Sequence, residues 1–151
     1  MDFSLRQATP NDMEFLLTLR DVTMRHYLEQ VGAPTSREAF LQRIHYHFDD
    51  AKIVLIDDQP AGLFKATYIP DRNQWYLVQI QVHPDFQNAQ IGSRLIATLI
   101  EQAKTEGASV GLSVLKSNPV QHLYARLGFQ RTGESEFEYD MVCPASPSGQ
   151  N

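Results

Sequence analysis

The sequence predicts an α/β fold (α+β by some schemes), a mostly antiparallel central sheet of about six to seven strands with helices on both faces. Three observations predict it. Two amphipathic helical stretches fill residues 9–48, three strand-like runs joined by short turns follow between 53 and 82, and strand and helix patterns then alternate down to a terminal hairpin.

Phe3, Leu5 and Gln7 alternate with Ser4 and Arg6, a short strand. Thr9-Pro10-Asn11-Asp12 reads as a helix start: Thr9 accepts from a first-turn amide, Pro10 presets φ, and Asp12 faces the positive helix end. Met13, Leu16, Leu17 and Arg20 follow at helical spacing, which carries the helix to about Tyr27, before Gly32-Ala33-Pro34 breaks it. Thr35-Ser36-Arg37-Glu38 has capping-box spacing, with Glu38 bonding back to the Thr35 amide. Phe40, Leu41, Ile44 and Phe48 then mark a second amphipathic helix.

Ile53-Val54-Leu55-Ile56 is a continuous apolar run, a strand buried on both faces. Asp57-Asp58-Gln59-Pro60 is turn chemistry, Ala61 to Ile69 is the partner strand, and Pro70-Asp71-Arg72-Asn73 turns the chain into a third central strand, Trp75 to Val82. After a polar loop, Ile91, Leu95, Leu99 and Ala103 fall four apart with Ile96 and Ile100 beside them, a long helix that Gly107 stops. Val110, Leu112 and Val114 alternate as a strand. Val120, Leu123, Tyr124 and Leu127 form a short helix ended by Gly128, and Phe129–Thr132 and Phe137–Val142 close a hairpin across Gly133-Glu134.

A chain of 151 residues suits one domain, taken as residues 1–143, with 144–151 an unpaired tail. Hydrophobic residues at 42% and charged residues at 21% exclude a disordered or fibrous chain. The single cysteine, Cys143, excludes an internal disulfide or a Cys-rich zinc site and fits a reducing, cytoplasmic compartment. The N-terminus has no signal-peptide pattern, and no apolar run approaches the ~18 residues of a membrane span. A net charge of −5 argues against a nucleic-acid partner and favours a cationic or amine-bearing one.

Two segments carry chemistry. In Ile80-Gln81-Val82-His83-Pro84-Asp85-Phe86-Gln87-Asn88-Ala89-Gln90-Ile91-Gly92-Ser93, a strand ends in a loop that opens a helix, whose unpaired amides favour an anion such as a pyrophosphate. The same pattern also describes an ordinary strand–helix connection. In Asn118-Pro119-Val120-Gln121-His122-Leu123-Tyr124-Ala125-Arg126-Leu127-Gly128-Phe129, Asn118 caps a helix that turns Tyr124 toward the sheet, and Tyr124 is either a core residue or part of a site.

In this order and about thirty residues apart, the two segments resemble the GNAT superfamily of acetyl-CoA-dependent N-acetyltransferases. The family's pyrophosphate loop, Q/R-x-x-G-x-G/A after a V-x-P strand end, is matched from Val82 through Gln87 and Gln90 to Gly92. Its late motif, N-P-x-x-x-L-Y-x-x-L-G-F, is matched without a gap from Asn118 to Phe129. The resemblance covers nearly the whole chain and implies a GNAT-type sheet splayed between its fourth and fifth strands. It also implies direct transfer of an acetyl group to an amine. The amides of Gln87, Asn88, Ala89, Gln90, Ile91 and Gly92, with Ser93 opening the helix, would hold the coenzyme A pyrophosphate. Ile80 and Val82 would lie along the pantetheine arm, with Asn118 contacting it. The Val82 amide would bond the thioester carbonyl where charge develops, and Tyr124 would protonate the leaving thiolate. No metal is implied.

The sequence departs from the family at two places. Gln90 replaces the second motif glycine, and Asn88 replaces another common glycine. A glutamine at Gln90 costs of order 1–3 kcal/mol if that position needs φ > 0. The strand stretch Leu77-Val78-Gln79-Ile80-Gln81 also lacks the carboxylate that many relatives place there, so the amine is deprotonated through water or by His83, Glu29 or His26. These departures support an alternative, a degenerate GNAT domain that binds acyl-CoA as a sensor. A toxin-like relative modifying aminoacyl-tRNA is disfavoured by 13 basic against 18 acidic residues.

The remaining features read simply. His45 and His47 stand i, i+2 on a helix and face apart, so they make no metal pair, and His122 is a surface residue. Asp49-Asp50 and Asp57-Asp58 are a helix end and a turn, or part of an acidic rim. The Arg25-His26-Tyr27-Leu28-Glu29 segment is a helix end or an acceptor pocket. The acceptor itself is open among polyamines, amino acids, aminoglycosides and protein amines. A homodimer through the terminal strands is expected.

Overall fold

The computed structural model describes residues 2–145. The tail expected from Pro144 lies outside the described residues beyond Ala145. Seven strands, β1 (Ser4–Gln7), β2 (Ala51–Ile56), β3 (Gln59–Ile69), β4 (Gln74–Val82), β5 (Ser109–Leu115), β6 (Gln130–Glu134) and β7 (Glu138–Cys143), form one sheet in the order β1-β2-β3-β4-β5-β7-β6. Every pairing is antiparallel except β4 with β5, which is parallel. That connection needs a crossover, and helix α3 (Ile91–Thr105) supplies it.

Side-chain alternation sends the two faces of the strands to different helices. Ala51, Ile53, Leu63 and Leu115 pack under α1 (Met13–Val31) and α2 (Arg37–His45). Val54, Ile56 and Ala61 meet Ile91 and Leu95 of α3, and Val110, Leu112 and Val114 meet the rest of α3 with Tyr124 of α4 (Gln121–Arg126). Helices therefore cover both faces, as the hydrophobic pattern predicts.

Local structure corrects several boundaries. The first helix opens on a 3-10 turn, Pro10–Asp12, where the Asp12 carboxylate accepts the Thr9 amide (2.8 Å) and a two-pronged contact from Arg6. The Arg6 hydrogen bond holds the Asp12 carboxyl below its ordinary range. That helix runs to Val31 rather than Tyr27, because nothing stops it before Gly32 takes φ 79. Ser36, not Thr35, caps α2, its hydroxyl accepting the Ala39 amide, so the box spacing was offset by one residue. His47 lies outside α2 with φ 53. The terminal hairpin turns at residues 135–137, where the Ser135 amide bonds Glu138, and Gly133 and Glu134 stay paired in β6. Asp57 and Asp58 both have positive φ, the type I′ geometry of a two-residue hairpin loop.

Lys65 is fully buried in the middle of β3. Its ammonium donates to the carbonyls of Arg43, Ile44 and Tyr46, so it satisfies the C-terminal carbonyls of α2. Burial lowers it to about 8, leaving it charged at neutral pH.

Candidate active site

A β-bulge creates the site. Lys65 pairs with Gln79 but Ala66 pairs with Leu77, so Val78 is an extra residue in β4. The bulge coincides with the end of the β4–β5 ladder, which runs from Gln74↔Ser109 only to Leu77↔Leu112. Past it β4 continues to Val82 with its β5-facing edge open. The expected splay between the fourth and fifth strands is there.

Hydrogen-bond alternation decides which amides face that opening. The His83 amide donates to Ala61 at 2.7 Å, so the 61–83, 63–81 and 65–79 pairs bond across to β3. The backbone groups of Ile80 and Val82 therefore point the other way, into the gap. The Val82 carbonyl is met there by the Gln87 side chain at 3.0 Å. The Val82 amide has no strand partner on that side.

The opening leads into a cavity of about 590 Å³. Ile80 and Val82 line it from β4. Gln87, Gln90, Ile91, Gly92 and Ser93 line it from the loop and the start of α3, and Asn118 and Tyr124 from the late segment. Asn88 and Ala89 belong to the 3-10 turn Pro84–Ala89 that leads to the helix. The first amides of α3 have no intrahelical acceptor. Gln90, the residue before the helix, has φ 56 and ψ 31, so the position is left-handed and the glutamine is strained. A Cβ built on Gly92 would meet nothing within 4 Å. Packing within the protein therefore does not require this glycine.

Asn118 accepts the Val120 amide through its side chain at 3.0 Å, closing the turn before α4. Tyr124 is 6% exposed, and burial pushes its hydroxyl up to about 12. From the other side α1 closes over the cavity with Thr23, Met24, His26 and Tyr27. The Ser117 hydroxyl ties α1 down by donating to the Tyr27 carbonyl at 2.7 Å.

A second, inner cavity of about 100 Å³ adjoins the first and shares Met24, Ile80, Gln81, Asn118 and Tyr124 with it. Arg20, Arg43, Gln79 and Glu138 line it as well and do not line the outer cavity. Arg43 donates to the carbonyl of the bulged Val78 at 2.7 Å. Arg20 and Arg43 also line a groove of about 370 Å³ between α1 and α2.

A family model described as the acetyltransferase (GNAT) family matches residues 16–129, three quarters of the chain. The chain belongs to that GNAT family. No curated protein sequence matches it significantly. Among solved structures it is similar to the PaiA N-acetyltransferase of Thermoplasma acidophilum in complex with coenzyme A, at 17% identity and a TM-score of 0.71, covering 95% of this chain and 99% of that one. It is also similar to the ribosomal-protein-S18-alanine N-acetyltransferase of Escherichia coli, at 20% identity and 0.66, covering 99% and 98%. A third likeness is to the N-acetylglutamate synthase of Neisseria gonorrhoeae complexed with coenzyme A and N-acetyl-glutamate, at 20% and 0.67, covering 94% of this chain but 35% of that one.

GNAT acetyltransferases use acetyl-CoA, and this chain fits it. Free amides at a helix start suit a pyrophosphate, the open space over Gly92 lets a ligand approach the backbone, and the unpaired β4 edge offers donors to an extended arm. Among the described residues no group of three His, Cys, Asp or Glu is placed to hold a metal ion, and no helix is long and apolar enough to cross a membrane.

The structure sorts the proposed bases. His26 lines the outer cavity. His83 accepts the Asp85 amide on its Nδ1 and lines none of the three cavities, and Glu29 is exposed beside Arg25. Among the described residues, Glu138 is the one carboxylate lining these cavities, and no sequence motif singles it out. Pairing with β5 brings it there (Leu115↔Glu138), a long-range register that no local pattern encodes. Arg20 did carry a local signal, since it falls on the apolar spacing of α1.

Proposed function

We propose that this chain transfers the acetyl group of acetyl-CoA directly to a primary amine, without a covalent enzyme intermediate. The observation that carries this reading is the open β4 edge beside the α3 N-terminus, both on one cavity with Tyr124. In this reading the free amides of Ile91, Gly92 and Ser93 at the start of α3 hold the pyrophosphate, the Gln90 amide being already donated to the Gln87 carbonyl, and Ile80, Val82 and Asn118 hold the pantetheine arm. Acetyl-CoA, when bound, supplies the activated acyl group. The Val82 amide then donates to the thioester carbonyl oxygen as negative charge grows on it.

Tyr124 is the donor toward the departing sulfur. At about 12 it is a weaker acid than a thiol of about 8.5, a gap of more than three pK units or roughly 4–5 kcal/mol. Complete proton transfer is therefore uphill, and Tyr124 works chiefly by a hydrogen bond that strengthens as charge develops. Glu138 takes the proton that the amine must lose before attack. One domain over residues 1–143 and a cytoplasmic location remain part of the proposal, supported by the single sheet and the lone thiol of Cys143. Dimerisation through the terminal strands is supported by β6, an edge strand exposed throughout.

Calorimetry with acetyl-CoA on the wild type and on Gly92→Leu tests the site. The variant should melt like the wild type, because its side chain enters empty space, yet bind acetyl-CoA at least tenfold more weakly. Equal affinity in the two proteins would move the pyrophosphate elsewhere.

A further inference from the structure

We propose that the amine acceptor also carries a carboxylate, held by Arg20 and Arg43 on the inner cavity, so that the substrate class is a free amino acid. The inference rests on the acetyl-transfer reading and names its substrate.

Among the described residues, the buried side-chain nitrogen and oxygen atoms without a hydrogen-bond partner are Arg20 Nε and Gln79 Nε2 and Oε1. All three belong to residues lining the inner cavity. Folded proteins leave few such atoms unpaired, so their concentration on one small cavity points to a ligand that completes them. Gln79 is 4% exposed, and its amide offers two donors and an acceptor. Arg20 Nε–H can be satisfied only by an acceptor, and a carboxylate is the acceptor that guanidinium geometry matches best.

The charges agree. Among the described residues, Arg20, Arg43 and Glu138 are the charged residues on the inner cavity, and Arg20 and Arg43 those of the adjoining groove, so these walls are net positive in a chain of net charge −5. The two guanidiniums repel each other: burial first, then Arg43, lowers Arg20 to about 10, while Glu138 opposes the shift. Arg20 is still charged at pH 7, and an anion between the two groups relieves the repulsion. A purely cationic acceptor would add a third positive charge. An amino acid brings none in net, and leaves Glu138 and Gln79 Oε1 for its ammonium end. The overall negative charge governs long-range attraction, whereas the wall charges govern selection.

The test follows coenzyme A release with acetyl-CoA and each of the common amino acids, each paired with its carboxamide, with spermidine as an amine lacking an acid. At least one free amino acid should be acetylated with a kcat/KM tenfold or more above its carboxamide. Arg20→Gln should raise KM for that amino acid at least tenfold and shrink the preference, with acetyl-CoA affinity unchanged. Gln79→Leu is a second variant that breaks no bond of the free protein, and it should also raise KM. Carboxamides or spermidine reacting as well as free amino acids would overturn this inference while leaving acetyl transfer standing. Acetyl-CoA binding with no transfer to any amine would overturn both readings.

Discussion

Gln90 holds a left-handed backbone where the family motif carries glycine, with φ 56. The strain sits at the start of α3, beside the amides assigned to the pyrophosphate. Gln90→Gly should therefore stabilise the protein by about 1 kcal/mol, read as a rise of about 2–4 °C in melting temperature. No rise would mean that the glutamine side chain offsets its own strain. At Tyr124 the prediction concerns pH. A group raised to about 12 keeps its proton at every lower pH, so it produces no alkaline fall in kcat below that value. Tyr124→Phe should lower kcat by about 100-fold with little change in acetyl-CoA affinity. An alkaline limb near pH 10 in the wild type, absent in the variant, would show that Tyr124 titrates as an exposed phenol. A variant with unchanged kcat would remove Tyr124 from the mechanism.

The element that matters most is β4, paired for its whole length with β3 but only for its first half with β5. The Val78 bulge ends the second pairing, and Gly62 fixes where the free half lies. A Cβ on Gly62 would come within 2.5 Å of the Gln81 carbonyl oxygen and 3.3 Å of the Val82 Cα. Gly62→Ala must therefore push β4 away from β3 at the residue whose amide is assigned to the thioester. It should cost about 1–3 kcal/mol of stability. Well below its melting point, it should still lose activity, because the Val82 amide has moved. Full activity in a folded variant would remove Val82 from the mechanism. On the opposite face, Lys65 closes the end of α2 and so fixes the position of Arg43 on that helix.

For the whole molecule, the sheet is wedged open and the wedge is lined by α1, β4, α3 and the segment before α4. A ligand filling the wedge binds only the folded state. Acetyl-CoA at one hundred times its dissociation constant should therefore add about 2.7 kcal/mol, a rise of roughly 5–10 °C in melting temperature. Gly92→Leu should lose most of that shift while its unliganded melting point stays put. A wild type whose melting temperature does not respond would show that the wedge holds no acetyl-CoA.

Most of the elements were legible in the sequence, because periods of two and of about 3.6 residues report directly which side of a segment is buried. The α3 stripe from Ile91 to Ala103 and the alternation of Val110, Leu112 and Val114 are examples. The loop and late motifs were legible for a related reason: chemistry at a helix start and a cap depends on adjacent residues. Ends were less so, as Ser36 shows, since neighbouring hydroxyls compete for one cap and only the folded geometry selects between them. Tertiary structure alone assembles the pocket proposed for the acceptor. Gln79, Arg20, Arg43 and Glu138 come from four separate elements, and a bulge, a helix crossing and a strand register bring them to one small cavity. A local pattern encodes the burial of each segment but not the distances between segments, and charge recognition depends on those distances.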